Sequence, residues 1–210
     1  MSTNLLISFE GGEGCGKTTQ IKRLANRLTE AGKNLLLTRE PGGTEVGEQL
    51  RYLLQFAPEG QSILPETEVL LFAASRAQLV REKILPALEA GTIVLADRFL
   101  DSTTVYQGAA RHLEAGKVFA INRFAVGTCL PNLTFIFDID PQIARERMAG
   151  RAGTLDRIES QSEAFHREVR AGYLALLNEG DPRFRLLDAT HSVEKLEEQI
   201  WQDVEPLLIG

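Results

Sequence analysis

Five short apolar runs, at 4–9, 34–38, 92–97, 132–139 and 184–188, alternate with longer segments whose apolar residues return every three or four positions. Ile21, Leu24, Ala25 and Leu28 form one such stripe early in the chain, and Val193, Leu196, Ile200 and Val204 form another near its end. Within the runs the apolar residues are consecutive rather than alternating, which predicts strands buried on both faces. Strand followed by helix, repeated, implies right-handed crossovers and therefore a parallel sheet covered by helices on both sides. The expected class is α/β, doubly wound and five-stranded. No repeat, low-complexity stretch or linker interrupts the pattern, so 1–210 reads as a single domain. Ligands of such sheets lie beyond the carboxyl ends of the strands, and the residues just after each run are where chemistry is sought.

Composition narrows the partners. Of 210 residues, 43% are apolar and 25% charged, enough for an ordinary core. No apolar run approaches the roughly 18 residues of a membrane helix, and the first residues lack the basic region of a signal peptide. A cytoplasmic protein without a membrane partner is expected. With 23 basic against 29 acidic residues the net charge is -6, which disfavours a broad grip on nucleic acid. The two cysteines, Cys15 and Cys129, are too few for a disulfide framework or a zinc cluster.

The first run leads into GGEGCGKTT, in which Gly11, Gly16, Lys17 and Thr18 satisfy G-x-x-x-x-G-K-[ST] directly before a helical stripe. Glycines at 11, 12, 14 and 16 let successive backbone N–H groups face phosphate oxygens, and the helix N-terminus adds its positive end. Lys17 is then expected on the β- and γ-phosphates of ATP and the Thr18 hydroxyl on Mg²⁺, with Thr19 in the same first turn. Cys15 is either a reactive thiol near the helix dipole or a small side chain that the loop tolerates. Glu13 is anomalous beside a polyphosphate; it should face a neutral donor such as a substrate hydroxyl, or else lie in solvent. The third run ends in Asp97 and Arg98. A carboxylate there suits Mg²⁺, and an arginine at the end of a central strand is costly to bury without an anion.

No N-K-x-D motif for guanine is present, and the loop is not the G-x-P-G-x-G-K-G of adenylate kinases. The strings FEGGEGCGKTTQ (9–20), TREPGGTEVGEQLR (38–51), LLFAASRAQLV (70–80), ADRFLDSTTVYQG (96–108) and LDRIE (155–159), in this order, closely resemble those of bacterial thymidylate kinases. The resemblance implies a P-loop kinase fold with a short lid at about 145–157, and phosphoryl transfer from Mg·ATP to dTMP. It also assigns roles. Phe72 would stack on thymine and Arg76, on the same helix face, would hydrogen-bond the base. Thr103 and Gln107 would meet the base edge, and Tyr106 would crowd the 2′ face of the sugar. Glu13 would take the 3′-hydroxyl, while Arg51 and Arg98 would grip the acceptor phosphate. Glu40 and Pro41 match a turn in which their peptide bond is cis. The turn at Asp188, Ala189 and Thr190 would lie beside adenine, and a homodimer is implied.

Arg145, Arg147, Arg151 and Arg157 crowd the lid region, where Gly150 and Gly153 bracket Arg151. Charge alone makes this a solvated helix-loop-helix. Because the phosphate loop carries no arginine, the chain resembles the lid-arginine type. Arg151 is then the expected catalytic arginine beside Lys17 and Arg98, with Arg147 near the donor nucleotide. The competing readings are a kinase of another nucleoside monophosphate, a P-loop ATPase switch without a small acceptor, and RNA binding by the lid arginines. His112, His166 and His191 share no motif.

Overall fold

The structure, a computed structural model, describes residues 4–149, 156–178 and 180–208. Strands β1 (Leu6–Gly11), β2 (Leu35–Arg39), β3 (Ile93–Asp97), β4 (Leu133–Asp138) and β5 (Phe184–Asp188) form one parallel sheet in the order β2-β3-β1-β4-β5. Between and beyond them lie α1 (Lys17–Glu30), α2 (Glu45–Gln55), α3 (Pro65–Leu79), α4 (Leu85–Glu89), α5 (Leu100–Thr103), α6 (Ala115–Val126), α7 (Pro141–Met148), α8 (Glu163–Leu177) and α9 (Val193–Val204). The class expected from the apolar pattern is the one observed.

Successive strand side chains point to opposite faces. Ile7, Phe9, Ile93, Leu95, Phe135 and Phe137 meet Ile21, Leu24 and Leu28 of α1 and Leu196, Ile200 and Val204 of α9. On the other face Leu6, Val94 and Ala96 pack against Leu79 of α3 and Val126 of α6. Ile136 on that side meets Val169, Tyr173 and Leu176 of α8. The two helical stripes read from the sequence are therefore the two that cover one face.

One expectation is corrected. Burial on both faces holds for β1 and for all of β3 and β4 but their last residues, Asp97 and Asp138, whereas β2 and β5 are half-exposed, with Leu37 and Leu186 open to solvent. The reason is topological: these are the edge strands, flanked on one side only. The apolar runs carry no information about which strand falls at an edge.

Among the described residues the helices contain two π-helical stretches, at Val80–Ile84 between α3 and α4 and at Thr104–Ala110 running on from α5. Nothing in the apolar periodicity announces them. The second carries Tyr106 and Gln107, consistent with the tendency of such wide turns to sit at functional sites. β1 lies between β3 and β4, so Gly11, Asp97 and Asp138 end side by side at the carboxyl edge. From here the chain leaves toward α1, α5 and α7, opening the crevice in which α/β proteins bind ligands.

Candidate active site

The phosphate loop spans the gap between β1 and α1, and two of its glycines are fixed by contact as well as by conformation. Gly11 has φ 139° and a Cβ there would lie 2.7 Å from the Phe137 carbonyl oxygen; Gly14 has φ 72° and its Cβ would lie 2.6 Å from the Ala144 carbonyl oxygen. Helix α1 has no side-chain cap and no acid in its first turn, which leaves its leading N–H groups to an anion. Lys17 Nζ donates to the carbonyl oxygens of Gly12 at 2.8 Å and Gly11 at 3.1 Å, folding its charge over the loop. Cys15 is buried in the core below, which favours the small-side-chain reading over an exposed reactive thiol.

Thr18 Oγ1 donates to Asp97 Oδ2 at 3.1 Å, so the two residues expected to hold Mg²⁺ are neighbours. Among the described residues no group of three His, Cys, Asp or Glu side chains forms a metal cage. A magnesium ion held by one hydroxyl, one carboxylate, water and phosphate oxygens needs none, so this donor pair fits it.

Arg98 stands at the centre. It follows β3 at φ 69°, a left-handed conformation that costs a non-glycine residue about 1 to 2 kcal/mol. Its amide donates to the Phe9 carbonyl oxygen at 3.0 Å. Its Nη1 donates to the Gly11 carbonyl at 2.9 Å and to the Ser102 and Tyr173 hydroxyls, each at 3.2 Å. Its Nη2 pairs with the Glu13 carboxylate, and its guanidinium lies over the Tyr106 ring. Glu13, expected to face a neutral donor, pairs here with a cation: a carboxylate in a phosphate loop needs compensating charge, and Arg98 supplies it.

Beneath Arg98 lies a residue to which the sequence reading assigned no role. Glu10, fully buried on β1, accepts from the Phe99 amide at 2.7 Å, the Ser102 hydroxyl at 2.6 Å and the Tyr173 hydroxyl at 2.8 Å. The same two hydroxyls receive Arg98, so Glu10 orients the arginine through them. Burial pushes the Glu10 carboxyl up from 4.5 to about 7, with the Asp101 carboxylate adding to the rise and Arg98, Ser102 and the Phe99 amide opposing it. An acid in an otherwise apolar strand was the available signal.

The acceptor-side residues converge on the same edge but are engaged differently from one another. Arg76 is buried and tied to Glu40, Asn122 and Thr103: Nε reaches Glu40 Oε2 at 2.8 Å, Nη1 reaches Asn122 Oδ1 at 2.8 Å and Nη2 reaches Thr103 Oγ1 at 2.9 Å. Its guanidinium thus serves first as the strut of the turn at Glu40–Pro41, whose bond is cis. Burial raises the Glu40 carboxyl against the opposing pull of Arg76. Phe72, one turn earlier on α3, is half-buried. Arg51 on α2 donates to the Pro41 carbonyl at 3.0 Å and lies near Glu13 and Asp156. Among the described residues the buried Tyr106 hydroxyl has no hydrogen-bond partner, and burial keeps it a neutral phenol. Gln107 Nε2 donates to Glu68 Oε1 at 2.8 Å.

On the opposite wall Arg147 of α7 donates to the Ala189 carbonyl at 2.9 Å, at the turn after β5. Arg157, expected in a solvated lid, is instead buried between the Leu54 carbonyl at 2.7 Å and Glu68 Oε2 at 2.6 Å; a nearby carboxylate makes burial of the charge tolerable. Arg151, the expected catalytic arginine, lies outside the described residues. A cavity of about 500 Å³ bounded by Gly12, Glu13, Arg51, Arg145, Arg170 and Tyr173 joins the phosphate loop to α7 and α8.

The chain is similar in sequence and fold to known proteins. The family model described as thymidylate kinase matches residues 9–200. A thymidylate kinase of Thermomicrobium roseum is 46% identical over 202 residues, covering 96% of this chain and 95% of the relative. One from Thermoanaerobacter sp. is 48% identical over 202 residues, covering 96% and 98%. The crystal structure of thymidylate kinase from Ehrlichia chaffeensis superposes with a TM-score of 0.77 at 29% identity, covering 96% of this chain and 98% of that one.

Glu10 gives a test of the buried cluster. Between about pH 4.5 and 7 the folded state holds a proton on Glu10 that the unfolded chain has released, so this group's contribution to stability falls as pH rises through that window. Urea unfolding of wild type and Glu10→Gln should therefore show the variant gaining relative stability from pH 5 to 7.5, by up to about 3 kcal/mol. A difference independent of pH would mean that Glu10 titrates as an ordinary carboxylate.

Proposed function

The chain belongs to the thymidylate kinase family, and from that premise we propose that it transfers the terminal phosphoryl group of Mg·ATP to dTMP, giving dTDP and ADP. The single observation that carries this reading beyond generic ATP hydrolysis is the second cationic centre. Arg98, gripped by Gly11, Ser102 and Tyr173 at the end of β3, faces the same crevice as Lys17. An assembly ATPase has no need of an arginine presented to an acceptor.

The chemistry asks little of a base. A phosphate monoester has its second pKa near about 6, so the acceptor is already mostly a dianion at neutral pH. What the protein must do is align two anions that repel each other and neutralise the charge that spreads between them. Lys17 serves the donor phosphates, Arg98 and Arg51 the acceptor phosphate, and Arg151 the transferring group. Thr18 and Asp97 would hold Mg²⁺, which supplies further neutralisation across the donor phosphates. Arg147 and the Ala189 turn serve the donor nucleoside. On the acceptor side Phe72 offers a stacking face, Thr103 and Gln107 a polar edge, and Tyr106 a neutral phenol against the sugar.

We further propose a homodimer. Helices α3 and α6 pack on each other, and both present large apolar side chains to the outside: Leu70 is 56% exposed, Phe119 67% and Phe124 82%. Three such side chains on one helix pair form the kind of patch that marks an association surface.

Steady-state kinetics at saturating Mg·ATP test the reaction. dTMP should be the best acceptor, and dUMP, which lacks one methyl, should follow within roughly 10- to 200-fold in kcat/KM. UMP, AMP and GMP should fall well behind dUMP. AMP or UMP outperforming dTMP would defeat the assignment. For assembly, sedimentation should give a dimer for wild type and a monomer for Phe124→Asp; a wild-type monomer at micromolar concentration would rule the dimer out.

A further inference from the structure

We infer that Glu68 acts as a positioning residue that locks the side-chain amide of Gln107 in one orientation and thereby makes the acceptor site select a base whose ring nitrogen donates a hydrogen bond. The inference rests on the reading that Gln107 meets the base.

Glu68 belongs to α3 and is 1% exposed, yet it is surrounded only by donors. Its Oε2 receives Arg157 Nη2 at 2.6 Å; its Oε1 receives Gln107 Nε2 at 2.8 Å and Arg111 Nε at 3.4 Å. Each guanidinium is anchored in turn, Arg157 on the Leu54 carbonyl and Arg111 on Gln161 Oε1 at 3.2 Å. A carboxylate that receives two guanidiniums can only accept. The amide of Gln107 must therefore turn its nitrogen to Glu68. The reverse orientation would set its carbonyl oxygen against a buried anion and strand both groups.

This settles what Gln107 offers elsewhere. Its side chain is 2% exposed, and among the described residues its Oε1 makes no hydrogen bond. Oε1 is left as an acceptor, and Nε2 keeps one hydrogen beyond the one given to Glu68. Thymine and uracil present an N–H at ring position 3 beside a carbonyl, which is complementary to that pair. Cytosine presents a ring nitrogen acceptor beside an amino donor, which opposes it at both points. A glutamine free to rotate its amide would fit either base. Glu68 removes that freedom, so discrimination against cytosine is built into a residue on a different helix from the one that touches the base.

The experiment measures kcat/KM for dTMP and dCMP in wild type, Glu68→Gln, Glu68→Asp and Gln107→Leu. A polar mismatch of this kind is worth roughly 10⁴-fold, which is the dTMP preference expected of wild type. Glu68→Gln lets residue 107 present either end of its amide, and the preference should fall at least about tenfold, mainly through KM. Glu68→Asp keeps the charge and should keep the preference even where activity drops. A merely structural role would slow both acceptors alike and leave their ratio unchanged, and that result would overturn the inference. Should Glu68→Gln fail to fold with two arginines unbalanced, the double variant Glu68→Gln with Arg157→Met removes one buried charge as well, and the same fall is expected. In the unsubstituted protein, nitrogen-15 NMR should show a Gln107 side-chain amide proton protected from exchange by Glu68; exchange as fast as that of an exposed glutamine would also overturn it. If Gln107→Leu leaves the dTMP preference intact, the reading of Gln107 as a base contact fails. If it abolishes the preference while Glu68→Gln does not, only the role of Glu68 fails.

Discussion

The carboxyl edge of the sheet is organised by one arginine held where arginine is not comfortable. Arg98 takes φ 69° directly after β3, and the strain of about 1 to 2 kcal/mol is offset by a dense set of bonds. Its amide joins β1, its guanidinium reaches the phosphate loop at Gly11 and Glu13, and Ser102 and Tyr173 hold it from α5 and α8. Those hydroxyls are fixed by Glu10, itself immobile in the central strand. Strand, loop and two helices thus share one cation.

The charged residues of the crevice divide into two kinds. Arg76 and Arg157 are buried and spent on Glu40 and Glu68, where they hold a turn and the residues beyond the lid. Lys17, Arg51 and Arg98 keep contacts with backbone carbonyls or partly exposed groups, and Arg51 lines the cavity. An ion pair sealed from water is rigid and costly to break, whereas a cation resting on carbonyl oxygens exchanges these for phosphate oxygens at little loss. Alignment of two polyanions needs both: a scaffold that does not yield, and donors that are available.

Much of this was legible in the chain. The five strands, the helical stripes of α1 and α9 and the phosphate loop follow from apolar periodicity and one local motif, because each is determined by residues close in sequence; Thr18 and Asp97 are each marked by a local pattern, although the pair joins residues 79 positions apart. What periodicity could not give depends on distant partners. Edge strands look like central ones, since exposure is decided by sheet order. Arg157 reads as a surface charge until Glu68, 89 residues away, is placed against it. Glu13 reads as facing a neutral donor or solvent until the fold brings Arg98 to it. Glu10 was visible as a lone acid in an apolar strand, but its meaning required Ser102 and Tyr173. The π-helical turns that carry Tyr106 and Gln107 have no signature in the apolar pattern at all.

The central claim is that Arg98 belongs to the acceptor. Titration calorimetry of dTMP and, separately, of a non-hydrolysable ATP analogue into wild type and Arg98→Lys tests it most directly, with the fold of the variant checked by circular dichroism. Lysine keeps the charge but cannot reproduce the planar, multiply bonded fork. The account predicts that affinity for dTMP falls at least about tenfold, the equivalent of one charge-assisted hydrogen bond, while that for the ATP analogue stays near the wild-type value. Undiminished dTMP binding, or an equal loss for both nucleotides, would contradict it.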